Sequence, residues 1–155
     1  MVTFTDQQEA KLLEWAEWLD TTSLVQGNGA LRNNEEKYCC LGVYVKNAHP
    51  DKRWKICTEN FAGEIFYSLW TGNVWESSFL PKGMQKELGL DQIVSTDGST
   101  LQHCFTEMND ALSLSFSAIA VQIRYLVEHG DFEPEVAKEL GSTLDEDFVM
   151  PLTEE

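Results

Sequence analysis

Apolar side chains recur along much of the chain at the three- and four-residue spacing of helices that bury one face. The first stripe consists of Leu12, Trp15, Ala16 and Leu19. Thr5 or Asp6, just before this stripe, is of a type that caps a helix N-terminus. Trp18 lies off the stripe, so it is either covered by another element or available as a contact residue.

Several later segments also have helical periodicity. The pattern predicts helices over 38–48, 61–70, 101–129 and 134–140, the third of them as an αα-hairpin. A further short helix opens with Pro81 as its first residue and ends at Gly89. Gly42 stands inside the helix predicted for 38–48, where glycine costs about 1 kcal/mol relative to alanine. We therefore expect another backbone to approach closely at Gly42.

Turn-forming residues predict a small amount of β-structure. Gly27-Asn28-Gly29, between short apolar runs, predicts a hairpin over 23–32, and residues 74–80 predict a short strand. Residues 51–55 are expected to form a loop. Together these elements predict a mainly α fold, α+β at the margin, in which packed helices and a minor β-hairpin form a single small domain.

Length and charge restrict the class of protein. The 155 residues suffice for one domain, and 43% of them are hydrophobic, which is enough for a core. Acidic residues number 26 and basic residues 11, a net charge of -15, which disfavours partners bound mainly through phosphates. No apolar run reaches the roughly 18 residues of a membrane span. The first residues lack the basic and apolar regions of a signal peptide, so we expect a cytoplasmic protein.

Negative charge is concentrated near the C-terminus. Residues 131–155 hold nine acidic residues and one lysine, net -8, against net -7 for residues 1–130. The sequence therefore divides into a helical domain, 1–130, and an acidic C-terminal extension, 131–155. This extension either binds a basic partner surface or docks back and completes the fold.

Residue types that perform chemistry are present, but not in catalytic arrangements. Cys39, Cys40, Cys57 and Cys104 include no CxxC pair, and the histidines do not join them at zinc-ligand spacing. The apolar surroundings of Cys39 and Cys40 raise a thiol pKa, so both are expected to be structural. No phosphate-binding glycine loop, GxSxG, HExxH or EF-hand pattern occurs. The sequence predicts no catalytic residue, no metal ligand, no cofactor and no enzymatic activity.

Three places are candidates for binding a partner. The first is Trp18. The second is a basic island in which an aromatic ring flanked by cations suits a nucleotide, although the pattern favours a solvated loop with its tryptophan folded inward. It comprises Lys52, Arg53, Trp54 and Lys55. The third lies in the acidic extension and comprises Asp145, Glu146, Asp147 and Phe148.

The segment Ser115-Phe-Ser-Ala-Ile-Ala120 resembles the first helix of many helix-turn-helix domains. Such domains need a basic recognition helix next, but acidic residues follow Gly130 here. We therefore expect no direct binding of nucleic acid.

An ordered set of motifs resembles a family of small uncharacterised proteins of tailed phages and prophages, with the pattern YCCLGV, LP with LGL, and LND followed by SFxxIA. The matching segments are Tyr38-Cys-Cys-Leu-Gly-Val43, Leu80-Pro81, Leu88-Gly-Leu90, Met108-Asn-Asp110 and Ser115-Phe-Ser-Ala-Ile-Ala120. Met108 stands where that family usually has leucine, and the extension after Gly130 is outside the pattern. The resemblance implies expression in an infected bacterial cytoplasm, and no particular activity.

The leading functional hypothesis is a phage accessory protein that binds and modulates or inhibits a host protein, in host takeover or counter-defence. Carboxylates at helical spacing can imitate a charged ribbon and occupy a site meant for nucleic acid. One alternative is a protein that binds or sequesters a small nucleotide signal, and another is a cysteine-dependent enzyme. A homo-oligomer and a monomer both remain open.

Overall fold

The computed structural model describes residues 2–33, 35–52, 54–57, 66–70, 75–76, 79–95 and 98–143. The helices are α1 (Asp6–Thr21), α2 (Cys40–Ala48), α3 (Lys82–Leu88), α4 (Leu101–Asp110), α5 (Phe116–His129) and α6 (Pro134–Thr143). The strands are β1 (Val25–Gln26), β2 (Lys37–Tyr38), β3 (Trp54–Cys57), β4 (Phe66–Trp70) and β5 (Trp75–Glu76). The predicted mainly α fold is confirmed. None of the described helices is both long enough and apolar enough to cross a membrane.

The first helix forms as its sequence predicts. Thr5 caps α1: its Oγ1 accepts from the Gln8 amide at 3.1 Å, while the Gln8 side chain accepts from the Thr5 amide at 2.9 Å. The predicted stripe is buried against the core, with α5 packed along α1. Arg124 of α5 adds an ion pair to Asp20 of α1, at 2.7 Å.

The close approach expected at Gly42 is confirmed. A Cβ atom on this residue would lie 1.9 Å from the carbonyl oxygen of Leu31, so no side chain fits. The contact places the segment before β2 directly against the first turn of α2. Both Leu31 and the α2 residues around Gly42 belong to the core.

The predicted αα-hairpin over 101–129 is confirmed as α4 and α5. Ser115 caps α5 by accepting from the Ala118 amide at 3.1 Å, and Gly130 ends the helix with φ 74°. Gly89 ends α3 in the same left-handed conformation, with φ 70°. Pro81 is the N-cap of α3 rather than its first residue.

The hairpin predicted over 23–32 is wrong. β1 pairs in parallel with β2, through Val25 with Lys37 and Gln26 with Tyr38. Parallel strands cannot be joined by a tight turn, so the Gly-Asn-Gly segment does not connect them as a hairpin loop. Polar contacts to α4, described below, hold this segment instead.

The chain between α2 and α3 forms an antiparallel sheet in the order β3-β4-β5. The helix predicted for 61–70 is wrong over 66–70, which form β4, and the loop predicted for 51–55 is wrong over 54–55, which belong to β3. Short runs of apolar and aromatic residues have no periodicity that separates helix from strand, and aromatic residues favour strands. The strand predicted within 74–80 is present as β5. Residues 61–65 lie outside the described part.

The last described helix packs on the domain. Phe132, Ala137 and Leu140 are 1%, 6% and 0% exposed and belong to the same core as α1, α2, α4 and α5. Phe132 also meets Phe105 of α4 edge to face, with ring centroids 5.5 Å apart. Residues 131–143 therefore complete the fold, while residues 144–155 lie outside the described part.

Candidate functional site

The structure describes some of the predicted contact residues. Trp18 lies near the end of α1 and is partly buried against the core. Lys52 is exposed after α2. Trp54 and Lys55 lie in β3, where they pair with residues 69 and 68 of β4. Arg53 and the extension residues Asp145, Glu146, Asp147 and Phe148 lie outside the described residues.

An open groove of about 300 Å³ lies beside Trp18. One wall is the end of α1 and the segment after it, and the other is the last part of α2. The lining residues are Trp18, Thr21, Thr22, Ser23, Leu24, Lys46 and Asn47. Of these, the sequence singled out Trp18 alone. The remaining residues come together only because α2 packs against α1, and no motif in the sequence indicates that packing.

Part of the hydrogen-bonding capacity of the groove is used within the protein. The Thr21 hydroxyl donates to the Glu17 carbonyl at 2.9 Å, Thr22 Oγ1 accepts from the Leu24 amide at 3.0 Å, and Asn47 Nδ2 donates to the Val43 carbonyl at 2.9 Å. Among the described residues, nothing forms a side-chain hydrogen bond with the Ser23 hydroxyl or with the Asn47 amide oxygen. In the described part of the chain, no carboxylate lies within ion-pairing distance of Lys46.

A second polar cluster joins α2 to α3. The Tyr44 hydroxyl donates to Glu87 Oε1 at 2.5 Å, and His49 Nε2 lies 2.9 Å from the same oxygen. Because an ionised carboxylate only accepts, Nε2 carries the hydrogen. The Tyr44 ring also meets Trp15 and Trp18 of α1, with centroids 6.4 and 6.0 Å away.

The electrostatics of this cluster keep Glu87 ionised. Partial burial by itself would raise the pKa of Glu87, but the hydrogen bonds from Tyr44 and His49 outweigh it and lower that pKa below its usual value. Burial, together with the hydrogen bond to Glu87, raises the pKa of Tyr44. Tyr44 and His49 thus both donate to the ionised carboxylate of Glu87. These hydrogen bonds link α2 to α3, and the Tyr44 ring adds contacts to α1.

A buried asparagine, Asn109, organises the segment around β1. Its Oδ1 accepts from Gln26 Nε2 at 2.9 Å and from the Cys40 amide at 3.1 Å. Its Nδ2 donates to the Gly27 carbonyl at 2.8 Å. The sequence drew attention to Asn109 only as part of the Met108-Asn-Asp110 motif. The signal for its larger role was its position four residues after Phe105, on the apolar stripe of α4.

The described thiols are poorly suited to nucleophilic catalysis. Burial raises the pKa of Cys39 and of Cys104 to about 12, and it raises the pKa of Cys40 well above its usual value. An activated nucleophile needs the opposite, a lowered pKa and access to substrate. None of these three cysteines forms a disulfide. The Cys57 side chain lies outside the described part.

Within the described ranges, no three His, Cys, Asp or Glu side chains are grouped closely enough to hold a metal ion. Comparison of the chain with protein-family models, curated proteins and solved structures finds no match.

Proposed function

We propose that this is a phage accessory protein that binds a basic surface of a host protein in the bacterial cytoplasm and modulates that protein. The observation that carries the proposal is the way α6 is docked. Its apolar side chains Ala137 and Leu140 face the core, while Glu135 and Glu139 are exposed four residues apart. Docking therefore turns part of an acidic segment into an ordered surface, which we call the α6 acidic surface.

Glu135 and Glu139 repel each other, since like charges at a spacing of four residues destabilise a helix by about 0.2–0.5 kcal/mol. Glu135 also lies in the first turn of α6, where a carboxylate interacts favourably with the helix dipole, and the exposed Lys138 lies between the two. A basic partner would relieve this repulsion on binding, and carboxylates in fixed positions lose less side-chain freedom than those of a free arm.

The surrounding charge favours the same kind of partner. Residues 98–155 contain 12 acidic residues and two basic ones, Arg124 and Lys138, so this part accounts for -10 of the net -15. Such a field accelerates encounter with a basic protein and repels nucleic acid. The phage context rests on the ordered motifs around Tyr38-Cys-Cys-Leu-Gly-Val43 and the later segments.

The test uses the whole chain as bait in a bacterial lysate, followed by affinity measurements on the purified partner. A Glu135→Gln/Glu139→Gln variant removes two charges from the α6 acidic surface. A matched control, Glu14→Gln/Asp51→Asn, removes two exposed charges from α1 and the turn after α2. We expect the α6 variant to weaken binding several-fold in about 150 mM salt, where the Debye length is about 8 Å, and to reduce its salt dependence.

Equal loss in both variants would show that net charge alone, rather than the α6 acidic surface, drives binding. Salt-independent binding that both variants retain would contradict the proposal.

The groove beside Trp18 favours a second candidate function, the binding of a small ligand. It brings an aromatic ring, a cation and polar groups together in one concave site, as ligand pockets do. The two functions use different surfaces and can coexist.

A further inference from the structure

Trp18 gives the groove an aromatic wall that is held in place. The ring is partly exposed, and the Tyr44 ring lies 6.0 Å from it on the side of the core, where Tyr44 is only 2% exposed. Tyr44 is in turn held by Glu87. Trp18 also lines the groove, and an accessible aromatic ring is a surface on which another flat ring stacks.

Other residues that line the groove offer hydrogen bonds suited to hydroxyl groups. The Ser23 hydroxyl both donates and accepts, and the Asn47 amide oxygen accepts. Thr22 Oγ1 accepts from a backbone amide, so its hydrogen stays available for donation. These groups are neutral, so they recognise hydroxyls and ring nitrogens better than they recognise a multiply charged group.

Charge limits what the groove can hold. Lys46 supplies one positive charge and makes no ion pair with the described carboxylates. The C-terminal ends of α1 and α2 both lie at the groove, and each helix end carries about half a negative charge. With a net charge of -15 on the whole chain, a single negative charge can be balanced at Lys46, but a triphosphate cannot.

We propose that the groove binds a nucleoside or nucleoside monophosphate. The base stacks on Trp18, the sugar hydroxyls meet Ser23 and Asn47, and a single phosphate, where present, lies at Lys46. The open groove of about 300 Å³ falls in the size range of small-ligand sites. This proposal rests on the second candidate function and is independent of the α6 acidic surface.

The experiment is a titration of the full-length, ¹⁵N-labelled protein, in which the indole N–H signal of Trp18 is assigned by its loss in Trp18→Phe. The probes are the common ribonucleosides, their 5′-monophosphates, adenosine triphosphate, ribose 5-phosphate and inorganic phosphate. We expect the Trp18 signal to shift with at least one nucleoside and with its monophosphate. We expect the triphosphate to bind several-fold more weakly than the monophosphate.

Single substitutions separate the contribution of base stacking from that of the phosphate contact. Trp18→Leu should weaken binding roughly 10-fold or more, because base–aromatic stacking is lost. Lys46→Gln should weaken binding of the monophosphate and leave the nucleoside unchanged. Lys138→Gln, an exposed lysine on α6, should change neither. Because Lys46 and Lys138 are both exposed, these two variants stay informative even where Trp18→Leu folds poorly.

Three results would overturn the proposal. Shifts with ribose 5-phosphate or phosphate that equal those with nucleosides would keep a small-ligand site and exclude base stacking. Tighter binding of the triphosphate than of the monophosphate would refute the argument that the groove balances only a single negative charge at Lys46. No shift of the Trp18 signal with any probe at millimolar concentration would refute the nucleoside site, while the second candidate function would then need a ligand of another class.

Discussion

Asn109 Oδ1 accepts a hydrogen bond from the Cys40 amide, 3.1 Å away, and so ties the start of α2 to the end of α4 across 69 residues of sequence. The first residues of a helix leave amide groups without partners inside the helix. Cys39, the N-cap of α2, provides no side-chain hydrogen bond, so Asn109 takes over part of the capping from another helix.

Replacing Asn109 with leucine should therefore destabilise the protein by about 3 kcal/mol, since buried partners lose their hydrogen bonds and each unsatisfied group costs about 1–3 kcal/mol. Urea denaturation followed by circular dichroism measures the change. Asn47→Ala is the control, because Asn47 is an exposed residue whose hydrogen bond stays within one turn of α2, and we expect a change below about 0.5 kcal/mol. Similar losses in both variants would contradict the tie between α2 and α4.

Alanine at Gly42 should destabilise the fold by more than about 3 kcal/mol or prevent folding, because its Cβ would lie 1.9 Å from a backbone oxygen that cannot move independently. Gly83 in α3 offers a matched comparison, since a Cβ there meets no atom within 4 Å. Gly83→Ala should be neutral or stabilise by about 0.5–1 kcal/mol. Thermal unfolding of the two variants side by side tests the difference, and a stable Gly42→Ala variant would refute the contact with Leu31.

The Glu87 cluster should stabilise the protein at neutral pH and lose this effect in acid. The pKa of Glu87 is lowered in the folded state, so its contribution is complete above the unfolded pKa of about 4.3 and disappears as pH falls through the lower folded value. Glu87→Gln should cost about 1 kcal/mol at pH 7 and progressively less below pH 4. In a Tyr44→Phe background the cost at pH 7 should shrink. A loss of stability in Glu87→Gln that is the same at pH 7 and below pH 4 would contradict the role of an ionised Glu87.

Cys39, Cys40 and Cys104 should resist alkylation in the native protein, since they are buried and a raised pKa keeps the thiol protonated. Maleimide treatment with peptide mass spectrometry distinguishes them from Cys57. We expect little modification of the three within minutes at pH 7 and complete modification in denaturant. Rapid, selective reaction at Cys39 in the folded state would instead support the alternative that the protein is a cysteine-dependent enzyme.

Shortening the chain so that α6 is lost should unfold the protein. Ending at Gly130 removes Phe132 and Leu140 from the core, each worth about 2–5 kcal/mol, so this protein should unfold or aggregate. Circular dichroism and thermal melting of the shortened and full-length proteins measure the change. A folded, soluble protein ending at Gly130 would show that α6 is dispensable.

The helices with a regular apolar stripe were predictable, because a helix that buries one face needs apolar residues at a spacing of three and four, and this spacing is visible in the sequence. Leu12, Trp15 and Ala16 of α1 show this directly. The strand at 66–70 was not predictable, because an aromatic and apolar run satisfies a buried helix and a strand equally well. The groove was also hidden, since Trp18 and Lys46 become neighbours only through the packing of α2 on α1.

The Gly27-Asn28-Gly29 segment failed as a hairpin signal for a related reason. Local turn chemistry suggested that the flanking runs pair with each other. The Gly27 carbonyl instead accepts from Asn109, and the Gly29 amide donates to Asp110 Oδ1 at 3.1 Å. Partners 82 and 81 residues away outweigh the local preference, and nothing within the segment indicates them.

These same hydrogen bonds set an order of events during synthesis on the ribosome. The segment after β1 is made early, yet its partners on α4 are made about 80 residues later. Contacts so distant in sequence form only after the intervening chain has closed a long loop, which slows their formation. The pairing of β1 with β2 can therefore form early, whereas the hydrogen bonds of Gly27 and Gly29 to α4 can form only after α4 has left the ribosome.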